Sequence, residues 1–283
     1  MEGKSNDRCR ASALLCLAGL LVLAVALATG PAQAHVKWFA PYDTSEPPLP
    51  IGEVLTGQFV YFFLASILLV YAFFWVDRFV LRHGILQQPL GRLTARVTEP
   101  AVFLVMRAAV FVFFAAVSLY GLRGAGFYLT PELRTDALWV PVVQLAIALS
   151  ALNPRTAPLV GIGIGILYVA ALAEYGLFHL LDYLIILGVA YYFLASRPAG
   201  PGWLMSRYIV LYATTGLTLL WASIEKWGYP HWTLPLLASD PSLLMGLDPR
   251  TYMLLAGFVE FTLTFMLLSS ASLLSRALAL GLS

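Results

Sequence analysis

The sequence predicts an all-α fold, a polytopic transmembrane helix bundle with about seven spans after an N-terminal signal peptide. Composition is the first reason, because hydrophobic residues make up 60% of the chain and charged residues only 11%, against about 25% charged residues in soluble domains. The second reason is the pattern of apolar runs after the N-terminal one, which lie near residues 54–76, 100–122, 137–152, 157–174, 177–195, 207–227 and 251–270. A helix needs about 20 apolar residues to cross a bilayer, so runs of this length predict membrane-spanning helices.

Charge and motifs exclude several classes of function. The formal net charge is +2 and the chain has no basic cluster, so nucleic acid is not an expected partner. Gly161, Gly163 and Gly165 are spaced like a dinucleotide fingerprint, but Ile166 stands where the third glycine belongs. Gly161 and Gly165 instead predict a helix-packing face. With no nucleophile and base set in view, we expect a protein that is not an enzyme by itself.

Residues 1–34 have the parts of a secretory signal peptide. Basic residues precede an apolar run, and small residues follow it up to Ala34. Cleavage after Ala34 would make His35 the mature amino terminus, and an uncleaved signal anchor is the alternative. Residues 35–53 are rich in proline and aromatic residues and predict an extended external arm. Residues 54–283 form the predicted helix bundle.

Arginines are distributed unevenly over the connecting segments. With the arm outside, the inside segments hold Arg78, Arg82, Arg92, Arg96, Arg155, Arg197, Arg207 and Arg276, and the outside segments hold Lys37, Arg123, Arg134 and Arg250. Basic residues favour the cytoplasmic side, so we expect an external arm and a cytoplasmic C-terminus. This predicts a multi-pass protein of the bacterial inner membrane, with the lipid bilayer around it and the arm in the periplasm.

Two apolar stretches depart from the simple pattern. The run 137–152 is short, contains Pro141 and carries Gln144, so it either spans the membrane or re-enters it from one side. Residues 157–195 would be about 58 Å long as one helix, roughly twice the hydrocarbon core. This stretch must therefore fold back, and Gly176 is the expected hinge.

Ionisable residues collect in the outer half of the predicted bundle. They are Glu174, His179, Asp182, Glu225, Lys226 and Glu260. Each costs about 2.5 to 3.5 kcal/mol at membrane depth, so a partner or a watery cavity is expected. One interpretation is an outward-open polar pocket that binds a proton, a metal ion or a small molecule. The other is a set of local pairs that lock helices together, such as Asp182 with Lys226 and Glu260 with a tyrosine.

Glu225 and Lys226 are the two residues that best distinguish these interpretations. As neighbours they point about 100° apart on a helix, so each needs a partner from another span. Trp221, Trp227 and Trp232 surround them and favour Lys226 as the residue that extends to the headgroups. Glu225 is then the expected pocket residue.

His35 is a second candidate site. A mature amino-terminal histidine offers its amine and its imidazole to one ion, and this resembles the copper chelate of the histidine-brace proteins. A further imidazole would come from His231, or else from His179. Copper is therefore one candidate cofactor.

The last quarter of the chain carries a family-like pattern. Arg207, Gly216, Glu225, Lys226 and Pro230 are followed by an external loop and a span with G-F-V-E at Gly257 to Glu260. This part, about 207–283, resembles the DoxX-like membrane proteins. The resemblance implies a bundle of four helices and, in the family's namesake, a membrane subunit associated with a quinone-linked sulfur oxidoreductase. A quinone and a membrane or periplasmic redox partner protein are thus expected. The extra spans, signal peptide and arm depart from the family pattern.

Two functions follow from these features. The first is a non-catalytic, DoxX-like inner-membrane subunit that binds a quinone or a partner protein in a redox or envelope pathway. The alternative is a transporter or carrier of a metal ion, a proton or a small solute through the outward-facing polar pocket. A transporter needs an inner polar path, for which the sequence offers Arg107 and Gln144. The subunit is therefore the favoured function.

Overall fold

A computed structural model describes residues 46–83, 98–124, 126–197 and 200–269. In these residues the regular structure is helical, apart from one isolated antiparallel bridge between Phe127 and Arg134. The predicted all-α class is confirmed. The predicted signal peptide, the first part of the arm and His35 lie outside the described residues.

The described residues contain a series of α-helices. In chain order they are α1 (Ile51–Val54), α2 (Gly57–His83), α3 (Glu99–Gly121), α4 (Trp139–Ala151), α5 (Ala157–Tyr175), α6 (Leu177–Leu180), α7 (Leu184–Leu194), α8 (Pro201–Gly228), α9 (Leu234–Ser239) and α10 (Pro249–Ser269). Short 3-10 turns lie at Leu181–Tyr183, Pro230–Trp232 and Pro241–Leu244.

Within the described residues, six helical segments are long and apolar enough to cross a membrane. They are α2, α3, α5, the Leu177–Leu194 segment, α8 and α10. The chain therefore has the character of a multi-pass membrane protein. The seventh predicted span is the 13-residue helix α4, which at 1.5 Å per residue is only about 20 Å long.

Helix α4 is continuous, because Pro141 lies in its first turn, where a missing backbone N–H costs no hydrogen bond. Its last carbonyls are bound from α3. Arg107 Nε donates to the Ala151 carbonyl at 2.7 Å and Arg107 Nη2 donates to the Leu152 carbonyl. Arg107 therefore caps α4, because unpaired carbonyls at a helix end attract its guanidinium.

Gly176 ends α5 with a φ of 81°, a conformation that favours glycine, and the chain reverses there. The fold-back of residues 157–195 at Gly176 is thus confirmed. The returning segment is not one regular helix, since α6, a 3-10 turn and α7 follow in succession.

The predicted glycine face of α5 is partly wrong. A Cβ atom on Gly161 would collide with the Ala190 carbonyl of α7, and one on Gly163 would collide with Ile147 of α4. A Cβ atom on Gly165 would meet nothing within 4 Å. The contact glycines are thus Gly161 and Gly163, because α5 lies between two neighbouring helices and packs closely on both.

The helices form two groups. The four-helix group is α3, α4, α5 and α7, which share one apolar core. Phe103 of α3 closes this group by contacting the rings of Tyr192 and Phe193 on α7. The second group is α2, α10 and α8, in that spatial order, and α8 joins it to α7.

Backbone and ionic contacts define the two ends of the bundle. At the arm end, Leu49 N–H donates to the Gly228 carbonyl at 2.8 Å and Arg250 Nη2 donates to the Glu53 carbonyl at 3.0 Å. At the opposite end, Arg207 Nη1 binds Glu99 at 2.8 Å.

Candidate functional site

A hairpin over residues 126–135 fills the arm end of the four-helix group. Tyr128 N–H donates to the Leu133 carbonyl at 2.8 Å, and Thr135 N–H donates to the Gly126 carbonyl at 3.0 Å. Gln144, fully buried on α4, donates to the Phe127 carbonyl at 2.6 Å and to the Tyr128 carbonyl at 3.0 Å. Buried backbone carbonyls need such donors, so Gln144 holds the hairpin and is not part of an inner polar path.

Glu132 stands at the tip of this hairpin and enters the bundle. Its Oε1 lies 2.6 Å from His179 Nε2, and both side chains are only 5% exposed. Its Oε2 accepts a hydrogen bond from the Tyr183 hydroxyl. The His179 ring also stacks on Tyr175 with centroids 5.6 Å apart. Glu132 thus joins the hairpin to the Leu177–Leu194 segment.

Sequence reasoning missed Glu132. It lies in a loop between two apolar runs, where a charged residue is ordinary and carries no periodic signal. The usable signal was His179, an ionisable group in an apolar run that must find a partner from another segment. Nothing in the sequence indicates which loop supplies that partner.

Glu174 makes a second tether of the same hairpin. The Tyr128 hydroxyl donates to Glu174 Oε2 at 2.8 Å. Burial raises the pKa of Tyr128, and the Glu174 carboxylate adds to this rise while Thr135 opposes it. The phenol therefore stays protonated and remains a donor at neutral pH.

Lys226 pairs with Glu260 across α8 and α10. Its Nζ lies 2.8 Å from both carboxylate oxygens, and the side chains are 19% and 27% exposed. The expectation that Lys226 extends to the headgroups is therefore wrong. A two-oxygen carboxylate on the neighbouring helix compensates the ammonium at that depth, which bare hydrocarbon cannot do.

Glu225 and Asp182 are buried elsewhere. Each is 3% exposed, and the turn that carries Asp182 packs on α8. Glu225 points about 100° away from Lys226 on α8, and it does not line the cavity described next. Lys226 therefore lines the cavity, whereas Glu225, the expected pocket residue, does not.

A cavity of about 450 Å³ opens at the arm end of the second group. Its walls come from the arm, the start of α2, the end of α8 and the start of α10, and its charged lining residues are Glu53, Lys226, Asp248 and Arg250. Apolar and aromatic walls include Leu49, Val54, Trp227, Leu234, Met253 and Leu254. This volume lies in the range of about 300 to 1,000 Å³ that is usual for small-molecule sites. We call it the arm cavity.

The six predicted residues do not all line the arm cavity. Glu174 and His179 hold the hairpin, Lys226 binds Glu260, and Asp182 and Glu225 are buried. Among these six, Lys226 alone lines the arm cavity. Local pairs therefore occur in the four-helix group, and a cavity with polar lining residues occurs in the second group.

His231 lies beside the arm. Its Nδ1 is 3.6 Å from Glu46 Oε2, and its ring contacts those of Tyr229 and Trp232. Within the described ranges no group of three or more His, Cys, Asp or Glu side chains could hold a metal ion. Since His35 is outside those ranges, the copper site with His35 and His231 stays a prediction.

The residues that carry the DoxX-like resemblance have clear structural places. Arg207 binds Glu99 at 2.8 Å, Gly216 packs against Leu268, and Pro230 begins a 3-10 turn. Comparison with protein-family models, curated proteins and solved structures finds no match to this chain. The DoxX-like assignment therefore stays a prediction that depends on these residues.

Proposed function

We propose that this protein is a non-catalytic membrane subunit whose arm cavity binds a quinone headgroup. The observation that carries the proposal is the lining of the arm cavity, where the Lys226 ammonium and the Arg250 guanidinium lie beside apolar walls. Both cations are hydrogen-bond donors, and the carbonyl oxygens of a quinone are acceptors.

The shape of the site suits an amphipathic ligand. The cavity lies at the ends of two apolar helices, α8 and α10, so a ligand that partitions into lipid can reach it from the bilayer. Trp227 offers an aromatic face, and Leu49, Val54 and Leu254 offer apolar contact for the start of a tail. A quinone, when bound there, would supply the redox chemistry, and the chain would hold and orient it.

The location is part of the same proposal. In a bacterial inner membrane with the arm in the periplasm, the arm cavity faces a periplasmic or membrane redox partner, as the DoxX-like resemblance implies. Labelling single cysteines placed at Arg82 and Asp240 tests this orientation. Labelling of both positions from the same side would contradict it.

Transport is less well supported. Arg107 binds the terminal carbonyls of α4, Gln144 binds the hairpin, and Arg207 binds Glu99. These three polar groups of the bundle interior are therefore engaged in fixed contacts, and they do not offer a path from the arm cavity to the opposite end.

Quinone binding to the purified chain in lipid nanodiscs tests the proposal. The probe is a short-chain ubiquinone analogue, and the signal is quenching of tryptophan fluorescence. We expect the double variant Lys226→Met/Glu260→Gln to weaken binding about tenfold, because a hydrogen bond from a charged donor is lost. The double variant avoids leaving Glu260 as an unpaired carboxylate.

Two controls separate the ammonium from general damage. Glu260→Gln alone keeps the Lys226 ammonium and should keep binding within about twofold, and Arg123→Gln changes an exposed cation outside the cavity. Equal binding by the double variant and the wild type would show that Lys226 is not a ligand contact, and the quinone proposal would fail.

A further inference from the structure

A second cavity, of about 440 Å³, lies at the opposite end of the bundle. Arg197, Arg207, Glu99, Ser196, Pro201 and Leu204 contribute to its lining. Two cations thus face one carboxylate across a cavity at the end where the sequence places its excess of arginines. We call it the arginine cavity, and it is separate from the arm cavity.

Arg207 brings a deeply buried charge to this cavity. Its side chain is 6% exposed, and its Nη1 binds Glu99 Oε1 at 2.8 Å. Its Nε donates to the Tyr192 carbonyl at 3.1 Å, and its guanidinium carbon lies 4.0 Å from the centroid of the Tyr192 ring. The remaining Nη2 has no hydrogen-bond partner in the described part of the chain. Since buried charges need full compensation, Arg207 retains uncompensated donor capacity.

Arg197 adds an accessible cation. It is exposed, and its Nη2 donates to the Arg155 carbonyl, which fixes the start of the side chain's fork against the α4–α5 connection. An arginine held in this way presents its other N–H groups in a planar arrangement that suits phosphate oxygens. Among the described residues that line the cavity, Glu99 is the one carboxylate, and Arg207 already binds it.

The side chains beside the cavity suit a position at the level of lipid headgroups. Trp203 and Met205, in the first turns of α8, are 49% and 60% exposed, and tryptophan favours the boundary between hydrocarbon and water. Leu204, between them, lines the cavity. In the predicted topology this boundary belongs to the cytoplasmic leaflet, whose anionic lipids attract arginines there.

We propose that the arginine cavity binds the phosphate of an anionic phospholipid headgroup, with Arg197 as the direct contact and Arg207 as the buried charge that supports it. The same chemistry would accept free phosphate. The exposed apolar side chains of Trp203 and Met205 beside the cavity favour the lipid, because acyl chains can pack on them and a free anion cannot.

Lipid binding to the full-length, delipidated protein in neutral detergent tests this proposal. The probes are phosphatidylglycerol, phosphatidylcholine and inorganic phosphate, and dissociation constants come from native mass spectrometry with thermal unfolding as a second signal. We expect phosphatidylglycerol to bind more tightly than phosphatidylcholine and to raise the midpoint of unfolding. Arg197→Gln should weaken phosphatidylglycerol binding about fivefold, as expected for one arginine near anionic lipid.

Arg82→Gln is the matched control, because Arg82 is an exposed arginine near the C-terminal end of α2 and does not line the arginine cavity. Arg207→Lys keeps a charge but loses the planar fork, so it should fold and bind phosphatidylglycerol more weakly. Equal affinities for the two lipids, or equal losses in Arg197→Gln and Arg82→Gln, would overturn the site. Full stabilisation by inorganic phosphate at the same concentration would overturn the lipid assignment.

Discussion

At the arm end, a carboxylate of each group binds a nitrogen-bearing side chain, but the two settings are very different. In the four-helix group, Glu132 and His179 are each 5% exposed and a hairpin covers them. In the second group, Lys226 and Glu260 are 19% and 27% exposed and border a cavity. The first contact closes the bundle, whereas the second leaves a cation beside open space.

The two contacts differ in exposure because different segments cover the two helix groups at the arm end. The four-helix group has the hairpin, whose buried Leu129 and Leu133 fill the space between helix ends and whose carbonyls Gln144 satisfies. The second group is covered by the arm. The arm is attached by a backbone hydrogen bond from Leu49 to Gly228 and by a hydrogen bond from the Arg250 side chain to the Glu53 carbonyl. Whether an ionisable residue at a helix end stabilises packing or is available to a ligand thus depends on the segment that covers it.

The largest effect is expected at the hairpin tip. Glu132→Ala removes the acceptor of both His179 and Tyr183, and each buried hydrogen bond lost costs about 1 to 3 kcal/mol of unfolding free energy. Thermal unfolding in detergent and abundance in the membrane measure this loss. Glu53→Ala is the control, since its side chain is exposed at the same end. Equal stability of the two variants would mean that the hairpin does not close the bundle.

Close helix contacts give the next effect. Gly161→Ala forces a methyl group against the Ala190 carbonyl of α7, and such overpacking costs about 1 to 3 kcal/mol. Gly165→Ala meets open space and should be neutral or stabilise by up to about 1 kcal/mol. The unfolding free energies of the two variants check this difference. Equal losses would contradict the assignment of Gly161 as the contact glycine.

A smaller effect is expected from the second tether. Tyr128→Phe loses one hydrogen bond to Glu174, worth about 1 kcal/mol of unfolding free energy at neutral pH. Because the pKa of Tyr128 is raised in the folded protein above its ordinary value of 10.0, the unfolded chain loses its proton first. The contribution is thus fully present below pH 10.0 and is lost as the pH rises through the folded value.

The measurement is the unfolding free energy of wild type and Tyr128→Phe at several pH values. The gap between them should narrow above pH 10.0, and subtraction removes the titration of the other tyrosines. A gap that stays constant with pH would show that Tyr128 does not act as a protonated donor.

The spans were predictable because the bilayer constrains them directly. Run length sets which helices can cross, and the stretch 157–195 had to turn because it is too long, so Gly176 could be named. The doubt about the run 137–152 agrees with the short helix α4. Pro141 does not interrupt this helix, since a proline is tolerated in a first turn. The sequence does not give the exact start of α4, on which this distinction depends.

The partners were not predictable for a different reason. The 100° step between Glu225 and Lys226 indicates that they face different neighbours, but not which neighbour lies on which side. That depends on the order of helices around the bundle, here α7, α8 and α10. The aromatic residues near Lys226 suggested lipid, whereas α10 supplies Glu260 on that face. The Glu132 contact depends in the same way on how a loop folds back.

The smallest stability effect should come from Lys226 and Glu260, where ligand binding and stability separate. Because the pair is partly exposed, replacing both residues in Lys226→Met/Glu260→Gln should change the unfolding free energy by no more than about 1 kcal/mol. The same variant is expected to lose quinone affinity, so stability and binding should be measured on one preparation. A loss of several kcal/mol would instead make the pair a structural lock like that of Glu132 and His179. A loss of quinone binding in such a destabilised variant would follow from damage to the fold. It would then give no support to Lys226 as a ligand contact in the arm cavity.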